Sequence, residues 1–531
     1  MDSSFTHISS RQWVLLAAFV VVAVWPAEAA LRIASYNTYG ARYEHKTVFE
    51  AIGNNSINSI ARPIDVLILQ EQTNNHNSEA VLVSYLNELY GPGVYAYGDF
   101  DMPYQSDLFF VGIIFNTNTV DVNEAVFGKY SGSSRFSGRY RVHPLGYDSS
   151  ADIYIYNTHY KSDTGESDKF KRAKEAIEIR WNTTFGSDFL DANANVIYAG
   201  DYNMYMYNED TDMGLYDFTD IYGRVYVDNP YFYLQWGQAP WAGTTGYGQA
   251  VDPIDSPGFW HDGIAYKDIH TQCPGTIGAG GGMDDRFDMQ LVSTELYDGE
   301  GVSYIGPGIG DCNAAVHSYR AFGNDGSHTL NGLITTGTGA EPNVLEALAN
   351  ASDHLPVVAD YQLPAKMSVW VDTNIICPAL LGEQVLVQIL VENTAPAMVP
   401  LGADELDYQI SVTGGTLIGP DTGIDEPLGS ANIHQVALDT NSPGPHALEI
   451  SVVSDSQSVF NGIYNEMVQY SVIETLSDLD GDGFVDFNDL PLFTAAWLSE
   501  PNGPNWNPCC DFVTDDLIDF IDYAQFSVHW N

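Results

Sequence analysis

The pattern of apolar and polar positions divides the chain into four stretches. From residue 31 to residue 362, short apolar runs alternate with segments of helical spacing. Residues 31–36, 66–69, 112–115, 153–156, 196–198, 287–292 and 357–361 read as strands, and residues 47–60, 78–89 and 168–183 as helices. This predicts an α/β domain. Residues 204–282 are rich in Tyr, Gly, Asp and Pro and read as long loops around a site. From 365 to 474 the runs are short, β-like and separated by Gly, Pro, Asn and Asp, with no helical spacing between them. A β-sandwich of immunoglobulin-like size is expected there, with a spacer as its simplest role.

The two ends differ from both. Arg11 precedes an apolar run from Trp13 to Val24, followed by Ala27-Glu28-Ala29, the pattern of a signal peptide over residues 1–29. The expectation is cleavage after Ala29 and a secreted chain with no transmembrane anchor left. Residues 477–531 repeat with a period of 33: Asp478 matches Asp511, Asp489 matches Asp522 and Trp497 matches Trp530.

Charge sharpens the picture. Seventy acidic residues face twenty basic ones, a formal net charge of -50. Such a chain repels nucleic acid and anionic membranes at long range and attracts divalent cations, so nucleic acid enters only as a substrate. Half of the basic residues lie between Lys129 and Arg180. For Arg135, Arg139 and Arg141 an anion-binding wall and a solvated surface are both open. Five cysteines leave one over; Cys273 and Cys312 are a candidate pair, Cys509 and Cys510 are adjacent, and Cys377 stands alone. No CxxC or HExxH occurs, which argues against zinc enzymes of those kinds.

The first C-terminal repeat places Asp478, Asp480, Asp482, Asp486 and Asp489 at loop positions 1, 3, 5, 9 and 12, with glycine at 6 and the Phe484 carbonyl at 7. A Ca2+ ion needs many oxygens around a sharp turn, which this spacing supplies. In the second repeat Asp511, Asp515, Asp519 and Asp522 fit positions 1, 5, 9 and 12, but Val513 and Asp516 replace the ligand at 3 and the glycine at 6. Duplicated loops with Asp at position 12 resemble a type I dockerin. That resemblance implies a small α-helical calcium-binding module and a cohesin-type partner on a scaffold or surface.

Ser35-Tyr36-Asn37, Leu69-Gln70-Glu71, Asn157-Thr158-His159, Gly200-Asp201-Tyr202-Asn203, Arg286-Phe287-Asp288 and Ser352-Asp353-His354 each border a strand-like run. Taken singly they are weak. As an ordered set they resemble the endonuclease/exonuclease/phosphatase superfamily, which includes pancreatic-type deoxyribonucleases, abasic-site endonucleases, bacterial sphingomyelinases and inositol polyphosphate phosphatases. The resemblance spans residues 31 to about 362 and implies a four-layered α/β sandwich with its site at one end. It also implies phosphoester hydrolysis with Mg2+ or Mn2+, a hard cation that takes carboxylate and amide oxygens. Asn37 and Glu71 would be metal ligands, and Asp353 would hold a second ion or shape the first. Asp201 would orient or deprotonate water, and Asn203 would hydrogen-bond water or phosphate. His354, oriented by Asp288, would bind the phosphate or donate a proton. His159 would be phosphate clamp or general acid, and Arg139 and Arg141 fall where relatives often contact phosphate. A small phosphate ester, a nucleic acid and a phospholipid all remain open as substrates. A dockerin-bearing structural component, or a subunit of a polysaccharide-degrading complex, is the reading from another class.

Overall fold

The computed structural model describes residues 30–530 except 74–75, 102–108, 129–134, 166, 170, 173–174, 177–178, 180–189, 191–193, 206–217, 220–224, 227–249, 255, 257, 307–316 and 374–376. The signal-like segment and Cys312 lie outside the described residues, as does most of the tyrosine-rich stretch. Among the described residues no helix is long and apolar enough to cross a membrane.

Nine strands build a mixed α/β core: Leu31–Asn37 (β1), Val66–Gln72 (β2), Phe110–Asn116 (β3), Val120–Gly128 (β4), Ser137–Pro144 (β5), Ile153–His159 (β6), Asn195–Asp201 (β7), Asp288–Ser293 (β8) and Val357–Gln362 (β9). One sheet runs β9-β1-β2-β3 with short strands on both edges; the other runs β8-β7-β6-β5-β4, with Ala250–Val251 beside β8. Each has a parallel pair at its centre, β1 with β2 and β6 with β7, flanked by antiparallel neighbours. A parallel pair places two strand C-termini at the same sheet edge.

Register shows how the interior changes along the strands. In the second sheet Ile155, Ile197 and Val292 share one row, Asn157, Ala199 and Gln290 the next, and His159, Asp201 and Asp288 the last. Because side chains two apart share a face, the rows run from apolar to wholly polar on the face turned to the first sheet. The middle row ties the sheets together. Gln70 Nε2 donates to Asn157 Oδ1 (2.7 Å), and Asn157 Nδ2 donates to the Leu69 and Gly112 carbonyls (both 2.9 Å). Gln290 Nε2 donates to the Ile33 and Val357 carbonyls (3.1 and 2.7 Å). Below it, Leu31, Ile33, Val66, Ile68, Ile155 and Ile197 belong to one apolar core, each buried side chain contributing roughly 1.5–3 kcal/mol.

Helices Glu44–Asn54 (α1), Asn77–Tyr90 (α2) and Pro342–Ala351 (α3) cover the outer face of the first sheet, where Phe49, Leu82 and Leu348 share a core with Tyr36 and Leu69. The helix expected over 47–60 ends at Asn54. Buried Arg32 donates to the Ile52 and Asn55 carbonyls (2.8 and 2.9 Å) and pairs with Asp360 at 2.7 Å, which satisfies the helix end. Asn58 and Ser59 then turn at positive φ into a small hairpin. Helix α3 and strands β4 and β5 were not foreseen from the sequence pattern.

Further on, Met367–Val371 (β10), Leu386–Asn393 (β11), Leu406–Thr413 (β12), Asn432–Leu438 (β13), Gly444–Ser454 (β14) and Ile463–Ile473 (β15) lie in a four- and a five-stranded sheet around a core that includes Ile389, Leu448 and Val468. The last segment holds helices Asp489–Ala495 (α4) and Phe520–Val528 (α5) around Phe493, Ile518 and Phe526. Its repeats exchange aromatics: Phe487 meets Trp530, and Phe520 meets Trp497. Cys377 is disulfide-bonded to Cys509, their Cα atoms 5.3 Å apart, and thereby joins this segment to the sandwich. Cys377 therefore does not stand alone, and Cys273 is a buried free thiol rather than a disulfide partner.

Candidate active site

The polar row of the second sheet faces Asn37 and Glu71, at the ends of β1 and β2. Asn37 Nδ2 donates to Asp201 Oδ2 across the gap between the sheets (3.1 Å). Glu71 follows the buried Gln70 and by alternation would point to the helices. It has φ +56 within an irregularity in the β2–β3 register, which redirects its side chain into the cleft. Gly200, at φ +139, lies where a Cβ would overlap the Thr158 carbonyl, so only glycine lets β7 approach β6 at this edge.

His159 Nε2 lies 3.4 Å from Asp201 Oδ2 and 3.7 Å from Glu71 Oε1. His354 enters on the loop between α3 and β9. Its Nδ1 lies 2.7 Å from Asp288 Oδ2 and its Nε2 3.7 Å from Asp201 Oδ2. Ser352 fixes that loop by donating to the Asn37 carbonyl (2.5 Å) and accepting the His354 N–H (3.2 Å). Asn203, at φ +51, donates its backbone N–H to Asp201 Oδ1 (3.0 Å) and its amide to the Tyr160 carbonyl (3.2 Å). Asp353 Oδ2 accepts the Ala279 N–H (2.7 Å). The structure therefore brings together Asn37, Glu71, His159, Asp201, Asp288 and His354, with Asn203 and Asp353 on the rim.

Arg139 and Arg141 do not join them. Tyr140 and Val142 are in the core between the sheets, so the two arginines on alternate positions point to the opposite face. Arg139 meets Glu124 at 3.5 Å, and Arg141 meets Asp152 at 2.5 Å. Among the described residues, Arg135, just ahead of β5, does reach the site. Its Nη1 donates to the Tyr160 carbonyl (2.5 Å), which also receives Asn203, and Asp201 and Glu71 act on its charge. Once Tyr140 and Val142 are seen to face inward, period two sends 139 and 141 outward.

Electrostatics separates the two histidines. Burial works against a charged His354, but Asp288 and Asp201, with the Asp288 hydrogen bond, hold its pKa well above the ordinary value. Burial, with the charges of Arg135 and His354, pushes His159 well below it. Burial also raises Asp201, and it lifts Glu71 to about 7 against the pull of His354. Four buried atoms here have no hydrogen-bond partner: Glu71 Oε2, Asp288 Oδ1, Asp353 Oδ1 and His159 Nδ1. Buried carboxylate oxygens without donors are expensive unless a cation meets them. Ligand atoms of Asp201, Asp288 and His354 also lie within 4.8 Å of one another.

No protein-family model and no curated protein matches this chain. Among solved structures, truncated Caenorhabditis elegans TDP2 is similar at 15% identity and TM-score 0.34, over 63% of this chain and 98% of that one. An endonuclease/exonuclease/phosphatase from Beutenbergia cavernae DSM 12333 gives 14% and 0.34, over 83% of this chain and 100% of that one. The human Nocturnin catalytic domain with bound sulfate gives 13% and 0.34, over 63% of this chain and 95% of that one. Likeness at this level carries no weight for the fold or the chemistry, which rest on the geometry of the cleft.

Proposed function

We propose that the chain is a metal-dependent phosphoric ester hydrolase. The observation that carries this reading is the meeting of Asn37, Glu71, His159, Asp201, Asp288 and His354, from sites spread between residues 37 and 354, in one buried cleft. The unpartnered oxygens of Glu71 and Asp353 and the amide oxygen of Asn37 suit a hard cation. These residues would hold Mg2+ or Mn2+, which would neutralise the phosphoryl oxygens and stabilise the leaving oxygen.

Asp201 is held from both sides, by the Asn37 amide and the Asn203 N–H. It takes a proton from the attacking water as the new P–O bond forms and the ester P–O bond breaks. His354, charged and oriented by Asp288, presents Nε2–H to the phosphoryl group or the departing oxygen. His159, held neutral, serves as a clamp rather than a proton donor. Of Arg135, Arg139 and Arg141, it is Arg135 that supplies the positive wall beside the site.

The proposal extends to the rest of the chain as secretion after removal of residues 1–29, a sandwich spacer at 365–474 and a dockerin-like module at 477–531. In the module, Asp478, Asp480 and Asp489 converge, as do Asp511, Asp515 and Asp522, which supports two Ca2+ sites. The test of the enzyme reading is hydrolysis of bis(p-nitrophenyl) phosphate with Mg2+, with EDTA, and with His354→Ala. Turnover that persists in EDTA and in the variant overturns it. A panel of DNA, RNA, sphingomyelin and sugar phosphates then assigns the substrate.

A further inference from the structure

We propose that His261, Asp284 and Asp285 form a further divalent-cation site, outside both the cleft and the C-terminal loops, which takes a first-row transition ion through one imidazole nitrogen and two carboxylates. Asp284 and Asp285 are adjacent and only 6% and 4% exposed. Among the described residues neither is paired with a lysine or arginine; the one group of opposite charge near them is His261. His261 Nδ1 lies 3.1 and 3.2 Å from the Asp285 oxygens and 4.0 Å from Asp284 Oδ2. The three ligand atoms fall within 4.8 Å of one another.

The surroundings fix each of these groups. Asp262 Oδ2 lies 3.6 Å from His261 Nε2, on the far side of the ring from the two carboxylates. Nδ1 is the ring nitrogen that faces the buried pair, and a divalent cation bound there takes the place of the proton that Nδ1 otherwise shares with Asp285. The Gln272 amide nitrogen, in its hydrogen-bonding orientation, donates to Asp284 Oδ1 (3.1 Å) and the Gly282 carbonyl (3.0 Å), which leaves Asp284 Oδ2 for the site. Three carboxylates thus surround one imidazole, and two of them are buried. An imidazolium proton offsets one charge; a divalent cation offsets two and replaces the repulsion between lone pairs with bonds. The His261 side chain is 41% exposed, so an ion has a path from solvent. The mixed nitrogen and oxygen set favours Zn2+, Co2+ or Mn2+ over Ca2+.

The site also borders the cleft. Thr271 and Gln272 donate to the Asp285 carbonyl (2.8 and 3.2 Å), and Thr271 Oγ1 accepts the N–H groups of Phe287 and Asp288 (3.1 and 3.0 Å). Leu355, next to His354, donates to the Thr271 carbonyl (2.8 Å). An ion at His261 therefore braces the wall that carries Asp288 and His354, without touching either.

The experiment uses the full chain with Ca2+ and Mg2+ in excess, which occupy the C-terminal loops and the cleft. Co2+ is titrated in by visible absorption, with bound metal measured by mass spectrometry and melting temperature followed in parallel. Wild type and the cleft control Glu71→Gln, which removes a ligand of the proposed cleft ion, are each expected to take up about one tight equivalent and to melt higher for it. His261→Gln and Asp285→Asn should bind at least ~10-fold more weakly and lose the thermal gain. Should Asp285→Asn fail to fold, the part-exposed His261→Gln decides alone. Equal uptake by wild type and His261→Gln, or no tight uptake by wild type, overturns the proposal. Either result leaves the phosphoesterase reading untouched.

Discussion

The chain carries two kinds of acidic site, and they are built in opposite ways. In the cleft, Glu71, Asp201, Asp288 and Asp353 arrive from four distant segments, and three of their oxygens are buried with no donor. In the C-terminal repeats each site lies within twelve consecutive residues, and the backbone of the loop itself satisfies the carboxylates. Asp478 accepts the N–H groups of Gly481, Asp482 and Gly483, and Asp489 those of Leu479, Asp480 and Asp486. The cleft is therefore shaped by two sheets whether or not an ion is bound. The loops are shaped by their own carboxylates, so an ion bound there would add its bonds to the same oxygens that set the turn.

The sharpest way to break this contrast is to remove one acid from each side. Asp201→Asn keeps one oxygen, for the Asn37 amide or the Asn203 N–H but not both, and cannot take a proton. Hydrolysis should fall by roughly 10²–10⁴-fold with the melting temperature nearly unchanged, as kinetics and calorimetry would show. Comparable loss of both would mean that the cleft is not preformed. Asp489→Ala has the reverse signature. It removes the acceptor of three part-buried backbone N–H groups, each worth about 1 kcal/mol, so the module should lose protection from proteolysis and its response to Ca2+. Turnover in the cleft should persist, which an assay on the same sample checks.

The second measurement concerns pH. In the proposed mechanism Asp201 acts as a carboxylate, and burial raises its pKa, so activity should fall on the acid side above the usual carboxylate range. In the same mechanism His354 acts as an imidazolium, and Asp288 and Asp201 raise its pKa against burial, so activity should fall on the alkaline side only well above the usual histidine value. Asp288→Asn removes a charge that favours the imidazolium, and the alkaline limb should move down by about one to three units. An unmoved limb in the pH–rate profile would separate Asp288 from His354.

The same contrast explains what the sequence could disclose. The calcium-like loops were legible because their chemistry lies in consecutive residues. The cleft was legible only as an ordered set of short motifs at strand ends, and the sheet register later aligned His159, Asp201 and Asp288 in one row. Arg139 and Arg141 were misplaced because spacing along the chain says nothing about which face of β5 is inward until Tyr140 and Val142 are seen in the core. The end of α1 depended on Arg32 reaching the Ile52 and Asn55 carbonyls, about twenty residues away in sequence, and the Cys377–Cys509 bond on a separation of 132 residues. Local pattern carries neither.

The smallest expected effect compares the two loops with each other. Positions 4 and 6 turn at positive φ in both. The first loop places Gly481 (φ +75) and Gly483 (φ +95) there; the second places Thr514 (φ +54) and Asp516 (φ +67). A left-handed backbone costs a side chain roughly 1–2 kcal/mol, and a β-branched one such as threonine sits there least readily. The second loop therefore holds its shape against a strain the first does not have. Its anchors resist that strain: Asp511 accepts the Asp515 and Asp516 N–H groups, and Asp522 accepts those of Val513 and Asp519. Thr514→Gly should stabilise the module by about 1 kcal/mol and strengthen Ca2+ binding at the second loop alone. Calorimetric titration of the variant beside wild type resolves the two sites. A gain at the first loop, or no gain at all, would mean that the repeats are held by their shared aromatic core rather than by each loop's own turn.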